Sequence, residues 1–232
     1  MIFSVMPLAN LGNRMLAYMA ALAVARRLST PVTFNVGLPE WGMEFDEVLH
    51  KRLQADPRNI MFADDAGAVS RDEMVARIEA EDPPAVFFYG FFQRFPSLDS
   101  SEVYQEVFPL APLDIEPFAD DELVINIRAG DLLEGHCSWY PLVPPLFFYH
   151  LLQRTGLRPV MLGQLEDSPY MRDILHMCPG ARLLPSAGPE VDFNRLRHAK
   201  HLSIPPSTFS WLAAWFSQAA TTRCWGSCTH SA

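Results

Sequence analysis

The sequence is short of positive charge, of cysteine and of long apolar runs, and each shortage removes a class of protein. Eighteen lysines and arginines stand against 27 aspartates and glutamates, for a formal net charge of −9. No basic stripe appears, which argues against nucleic acid as a partner. An acidic chain that binds an anion must gather its few cations at one place. Four cysteines (Cys137, Cys178, Cys224 and Cys228) are few for 232 residues and irregularly spaced. They read as reduced thiols of a cytoplasmic protein, not as a disulfide framework. Cys224-x3-Cys228-x-His230 has the donors of half a zinc site, but the spacing is unusual and no second half exists, so no metal is expected. The longest apolar run, residues 15–25, is too short to span a bilayer and leaves at most peripheral membrane contact. Ala23-Val24-Ala25 resembles a signal cleavage site, yet a strand-like stretch precedes it and only Arg14 supplies positive charge, so no cleaved signal is expected. There is no G-x-x-x-x-G-K-[ST] phosphate loop and no G-x-S-x-G nucleophile elbow.

What is present is a globular chain, 49% apolar and 19% charged, long enough for one large domain or two small ones. Apolar, β-branched or aromatic runs predict strands at 2–6, 31–36, 85–89, 122–128, 158–162, 181–184 and 200–204, the last read as the final strand. Helices are expected over 13–28, 71–81, 146–154 and 169–177, from 192 onward and from 207 onward. The 13–28 helix is apolar nearly all round, so it should be buried on most sides. Residues 37–84 are otherwise irregular. Residues 109–121 hold three prolines and several acids and read as a linker. The pattern is α/β, with Rossmann-like halves over 1–117 and 118–232 facing a cleft.

The chain's centre of interest is Asn126-Ile127-Arg128-Ala129-Gly130-Asp131, where a buried strand runs straight into a cation, a glycine and a carboxylate. In open α/β sheets ligands bind at that carboxyl edge. The Arg128 fork suits phosphate oxygens, while a plain Arg128–Asp131 salt bridge is the bland alternative. Ser207 and Thr208 stand at the start of an apolar helix, where hydroxyls and free N–H groups hold phosphate or merely cap the helix. Gly12 and Asn13 form a strand-to-helix turn of the same kind. The acids Asp64-Asp65 and Asp120-Asp121 read as solvated loops or caps.

Four islands, in order, resemble bacterial α-1,2-fucosyltransferases. Leu11-Gly12-Asn13-Arg14-Met15 resembles their Gly-Leu-Gly-Asn-Gln-Met opening, and Gly90-Phe91-Phe92-Gln93 their Gly-Tyr/Phe-Phe-Gln segment. Asn126-Ile127-Arg128-Ala129-Gly130-Asp131 resembles their His-x-Arg-Arg-Gly-Asp motif. Ser207-Thr208-Phe209-Ser210-Trp211 is similar to their Ser-Thr-Phe-Ser-Trp motif. Tyr140-Pro141 and Asp192-Phe193 also fit. The resemblance spans roughly 8–217. It implies a GT-B-like fold and metal-independent, inverting transfer of fucose from GDP-fucose to a glycan acceptor, in surface polysaccharide synthesis. It assigns no cofactor beyond that nucleotide-sugar donor. By the same resemblance the donor would contact Gly12, Asn13, Arg14, Asn126, Arg128, Ser207, Thr208, Phe209 and Ser210, with Arg128 and Asp131 catalytic. The C-terminal half would take the donor and the N-terminal half the acceptor.

Departures from the motifs are specific. Asn126 stands for the motif's histidine, Ala129 for its second arginine, Arg14 for a glutamine and Leu212 for a second tryptophan. Arg14 is a candidate replacement for the lost charge. Asp131, Glu134 and His136 are candidate bases for the acceptor hydroxyl, with orientation of Arg128 as the other role for Asp131. Glu166 and Asp167 are candidates for the guanine edge or ribose, or for helix capping. The alternatives are a catalytically inactive nucleotide- or glycan-binding protein, favoured by the replacements at 126 and 129, and a transferase using another nucleotide sugar.

Overall fold

The computed structural model describes residues 1–63, 69–93, 98–136, 140–217 and 219–224. The Asp64-Asp65 pair, Cys137 and the Cys228–His230 end of the cysteine motif lie outside them. The chain forms two compact units, Met1–Pro109 and Leu110–Ala232.

In the N-terminal unit the order is β1 (Ile2–Val5), α1 (Leu11–Ala25), β2 (Thr33–Val36), a 3-10 turn (Pro39–Trp41), α2 (Glu47–Gln54), β3 (Ile60–Ala63), α3 (Arg71–Glu81), β4 (Ala85–Tyr89) and α4 (Ser101–Gln105). The strands pair in parallel in the order β2-β1-β4-β3. Helix α1 is buried along most of its length, as its apolar circumference requires, and packs on β1, β4 and α3. Phe3 and Phe88 meet at 5.1 Å in the sheet's core. Helix α3 starts where its sequence says it must. Ser70 Oγ accepts from Glu73 N at 3.2 Å, and Glu73 Oε2 accepts from Ser70 N at 2.7 Å.

Besides the 3-10 turn, a helix and a strand lie inside the stretch read as irregular. Helix α2 is polar and buries only His50. Strand β3 is a four-residue edge that buries Ile60 and Phe62 and exposes Met61. Neither carries a long enough apolar period to register in the sequence.

His50 is a buried polar group of this unit, 5% exposed. It shares a 2.8 Å hydrogen bond with Ser4 Oγ, and Asn35 Nδ2 donates to the same oxygen at 3.3 Å. Burial pulls the imidazole pKa down, outweighing Glu47, while Lys51 adds to the lowering. Below the ordinary imidazole value of about 6.5, unfolded chains take up a proton that folded chains refuse. The neutral histidine's contribution is therefore complete above that pH and is lost as the pH falls through the window beneath it. Denaturant midpoints measured from pH 7.5 to 5.5 are expected to fall more steeply for the wild type than for His50→Gln. Equal slopes would remove His50 as the cause.

The C-terminal unit contains β5 (Glu122–Ile127), α5 (Gly130–Leu133), α6 (Pro145–Thr155), β6 (Arg158–Gly163), α7 (Pro169–Met177), β7 (Arg182–Leu184), α8 (Pro189–Arg197), β8 (His201–Ile204), α9 (Thr208–Phe216) and β9 (Thr221–Cys224). All pair in parallel, in the order β7-β6-β5-β8-β9. Every residue of β5 is buried, as its central place demands. The chain leaves β5 toward β6 and β7, then crosses back to β8. The strand order thus reverses between β5 and β8, the place where such sheets open a crevice at their carboxyl edge.

Strand β9 corrects the expectation that β8 is the last strand. It reads Thr-Thr-Arg-Cys, half exposed at the sheet edge, and so carries no apolar signal. The proline-rich stretch is also less loose than its composition implies. Asn194 Oδ1 accepts from Ala111 N at 3.0 Å, its Nδ2 donates to Ala111 O at 2.9 Å, and Arg195 Nε donates to Asp114 at 2.9 Å. Residues 111–114 are fastened to α8.

Candidate functional site

The carboxyl ends of β5 and β8 bring together the polar residues that sequence places 78 or more positions apart. Arg128 follows β5 directly. Its Nε and Nη2 donate to the two carboxylate oxygens of Asp131 at 3.3 and 2.7 Å. Its Nη1 donates to Pro206 O at 2.9 Å, just before α9. The Tyr140 ring lies over the guanidinium at 5.0 Å. The cation is half-buried, planar and held on several sides. Both oxygens of Asp131 face Arg128, the geometry of an orienting carboxylate.

Helix α9 begins beside this cation. Ser207 is its N-cap by backbone conformation but makes no side-chain capping bond, and Ser207 and Thr208 are both half-buried. The first-turn N–H groups and the helix dipole give that end a partial positive charge. Ser210 turns the other way. Its hydroxyl, fully buried, donates to Asn126 Oδ1 at 2.6 Å, and Asn126 Nδ2 donates to Leu162 O at 3.3 Å. These two residues tie β5 to α9 and β6. Phe209 packs edge-on against Phe193 at 5.5 Å. Ala129 is buried, with its methyl in the core cluster that includes Ile127, Val143 and Phe148.

The other base candidates face solvent. Glu134 and His136 pair with each other at 3.2 Å and are 67% and 72% exposed. Asp167 is exposed and pairs with Arg172 at 3.0 Å, while Ser168 takes the cap of α7. Glu166 is also exposed.

The N-terminal unit holds the remaining candidates, and they form their own group. Gly12, Asn13 and Arg14 lie in the first turn of α1, with Gly12 buried. Gln93 Nε2 donates to Asn13 Oδ1 at 3.0 Å, so the first two motif islands meet. Arg14 donates to Gly37 O at 2.8 Å and to Glu40 at 2.6 Å. Its charge is thus already paired within this unit. Ala9 (φ 60) in the β1–α1 loop and Phe92 (φ 49) after β4 are non-glycine residues in the left-handed region. Such strain tends to gather at functional loops.

Sequence reasoning missed two partners of the Arg128 turn. One is the backbone carbonyl of Pro206, which no side-chain pattern reveals. The other is Gln164, whose Oε1 accepts from the backbone N–H groups of Ala129 and Gly130 at 2.7 and 2.9 Å. A polar residue just past the glycine that ends a buried strand was the available signal. Among the described residues no group of three His, Cys, Asp or Glu is placed to hold a metal, and no helix is long and apolar enough to cross a membrane.

No protein-family model matches the chain, and no curated protein does. Solved structures share its fold. POFUT1 in complex with GDP superposes with a TM-score of 0.51 at 10% identity, over 97% of this chain and 98% of that one. POFUT1 in complex with GDP-fucose gives 0.52 at 9% identity, over 97% of each chain. At such identity the likeness is one of fold. The α/β architecture with parallel sheets is fucosyltransferase-like and of the expected GT-B-like kind, without singling out the bacterial α-1,2 group.

Proposed function

We propose that this protein is a glycosyltransferase that takes fucose from GDP-fucose and passes it, with inversion, to a glycan hydroxyl. The observation that carries the reading is the convergence of Arg128 and the α9 N-terminus at the strand-order reversal between β5 and β8. The POFUT1 structures that share the fold were solved with GDP and with GDP-fucose, which supports that donor. Breaking a sugar–diphosphate bond puts negative charge on the leaving group. A fixed cation and the dipole of a helix start stabilise such charge without a metal. In this reading Arg128 meets the diphosphate, Ser207 and Thr208 add hydroxyls and amides, and Asp131 holds the guanidinium in plane. The C-terminal unit takes the donor and the N-terminal unit the acceptor. The bacterial α-1,2 linkage, the cytoplasmic location and the role in surface polysaccharide extend the same proposal from motif resemblance.

A second reading keeps the fold without the reaction: a non-catalytic nucleotide- or glycan-binding protein. The pairing of Asn126 with Ser210 favours it, since neither side chain is then turned to a ligand. Calorimetry with GDP, GDP-fucose, GDP-mannose and a UDP-sugar, followed by a donor-hydrolysis assay, separates the two. Selective GDP-fucose binding with slow Arg128-dependent hydrolysis is the expected result. Binding without hydrolysis would leave the second reading, and no nucleotide binding would remove the donor-site assignment and leave only its glycan-binding form.

A further inference from the structure

Gln164 touches the chain on both sides of Arg128. It stands one residue beyond β6, next to the end of β5. Its backbone N–H donates to Ile127 O at 3.0 Å, on the near side of Arg128. Its side-chain oxygen accepts from Ala129 N at 2.7 Å and Gly130 N at 2.9 Å, on the far side. Three hydrogen bonds from one residue therefore bracket the arginine. The surroundings are shaped for this grip. Gly163 turns the chain at φ +110, and a Cβ on it would lie 2.5 Å from Ile127 O. A Cβ on Gly130 would lie 2.9 Å from Gln164 Nε2. Gly130 must be small for the amide to sit where it does, and Gly163 for the end of β6 to lie against Ile127 and Asn126.

We infer that Gln164 is the positioning residue for Arg128, fixing the turn that aims the guanidinium. It also occupies the two amides at the head of α5. A phosphate at this edge would then be met by Arg128 and the start of α9, and not by the β5–α5 backbone. The binding part of this inference rests on the donor-site reading above.

The test compares the wild type with Gln164→Met, which keeps the size and loses the acceptor. Gln164→Ser, which admits water to both amides, replaces it if the methionine variant does not fold. Positioning is read without ligand, from the Arg128 Nε–H signal in a nitrogen–proton spectrum, assigned by its disappearance in Arg128→Lys. The expected result is that this signal broadens or moves toward that of exposed arginines, while the Arg195 signal stays put. GDP affinity by calorimetry is expected to fall about tenfold. An unchanged Arg128 signal, or a changed one with unchanged GDP affinity, overturns the inference. A wild type that does not bind GDP overturns the donor-site reading instead, and the spectra alone then decide the role of Gln164.

Discussion

Arg128→Ala is expected to slow donor turnover roughly 100- to 1,000-fold, the effect of removing one preorganised charge-stabilising group. The loss should appear in both affinity for GDP and rate, because the cation meets the diphosphate before and during bond breaking. Arg128→Lys should recover little. A lysine supplies the charge without the planar fork, and here the fork is used in full: two donors go to Asp131 and a third to Pro206 O. Asp131→Asn gives the complementary measurement. If Asp131 holds Arg128 in plane, this variant loses part of the GDP affinity along with rate and keeps the wild-type pH profile. A general base would instead lose rate, keep affinity and change the profile. Affinity by calorimetry and rate by donor hydrolysis, measured on all three variants, separate the roles. Wild-type turnover by Arg128→Ala would move the chemistry away from this edge of the sheet.

Gly163→Ala is expected to destabilise the C-terminal unit by about 2–4 kcal/mol, combining left-handed backbone strain with overpacking. The position has two faults for any other residue. Its φ is +110, and an added Cβ would lie 2.5 Å from Ile127 O and 2.8 Å from Asn126 Nδ2. Neither neighbour yields easily, since Ile127 belongs to the central strand and Asn126 is tied to Ser210 and Leu162. Gly156→Ala is the control. Gly156 also has positive φ, at +66, but an added Cβ meets nothing within 4 Å, so only the strain of about 1 kcal/mol remains. Thermal and denaturant melts should rank the two variants clearly. Near-equal losses would mean that strain, not crowding, sets the cost at Gly163.

Legibility followed local signal. Helix α3 runs over 71–81 as its Ser70–Glu73 box requires, and α7 starts at Pro169 behind its Ser168 cap. Strands β4 and β5 announce themselves by unbroken apolar runs. Strands β3 and β9 do not, because an edge strand of four residues needs to bury only one or two side chains. The site divided in the same way. Arg128 and Asp131 could be placed at a strand end, and the tie between them, three residues apart, was readable as a possible salt bridge. The Gln164 grip was legible only as a polar residue past the glycine that ends a buried strand, since nothing local shows that it accepts from backbone amides 34 and 35 residues away. Arg14 drew attention as a spare cation, but its partner Glu40 lies 26 residues on and becomes visible only when the chain folds.

The Asn126–Ser210 bond makes two distant positions a single heritable choice. Putting the motif's histidine back at 126 would remove the amide that spans Leu162 O and the buried Ser210 hydroxyl. An arginine at 129 would need space now filled by core side chains. A graft that restores the motif letter by letter should therefore fail, and one that exchanges β5, the turn and the first turn of α9 as a block has the better prospect.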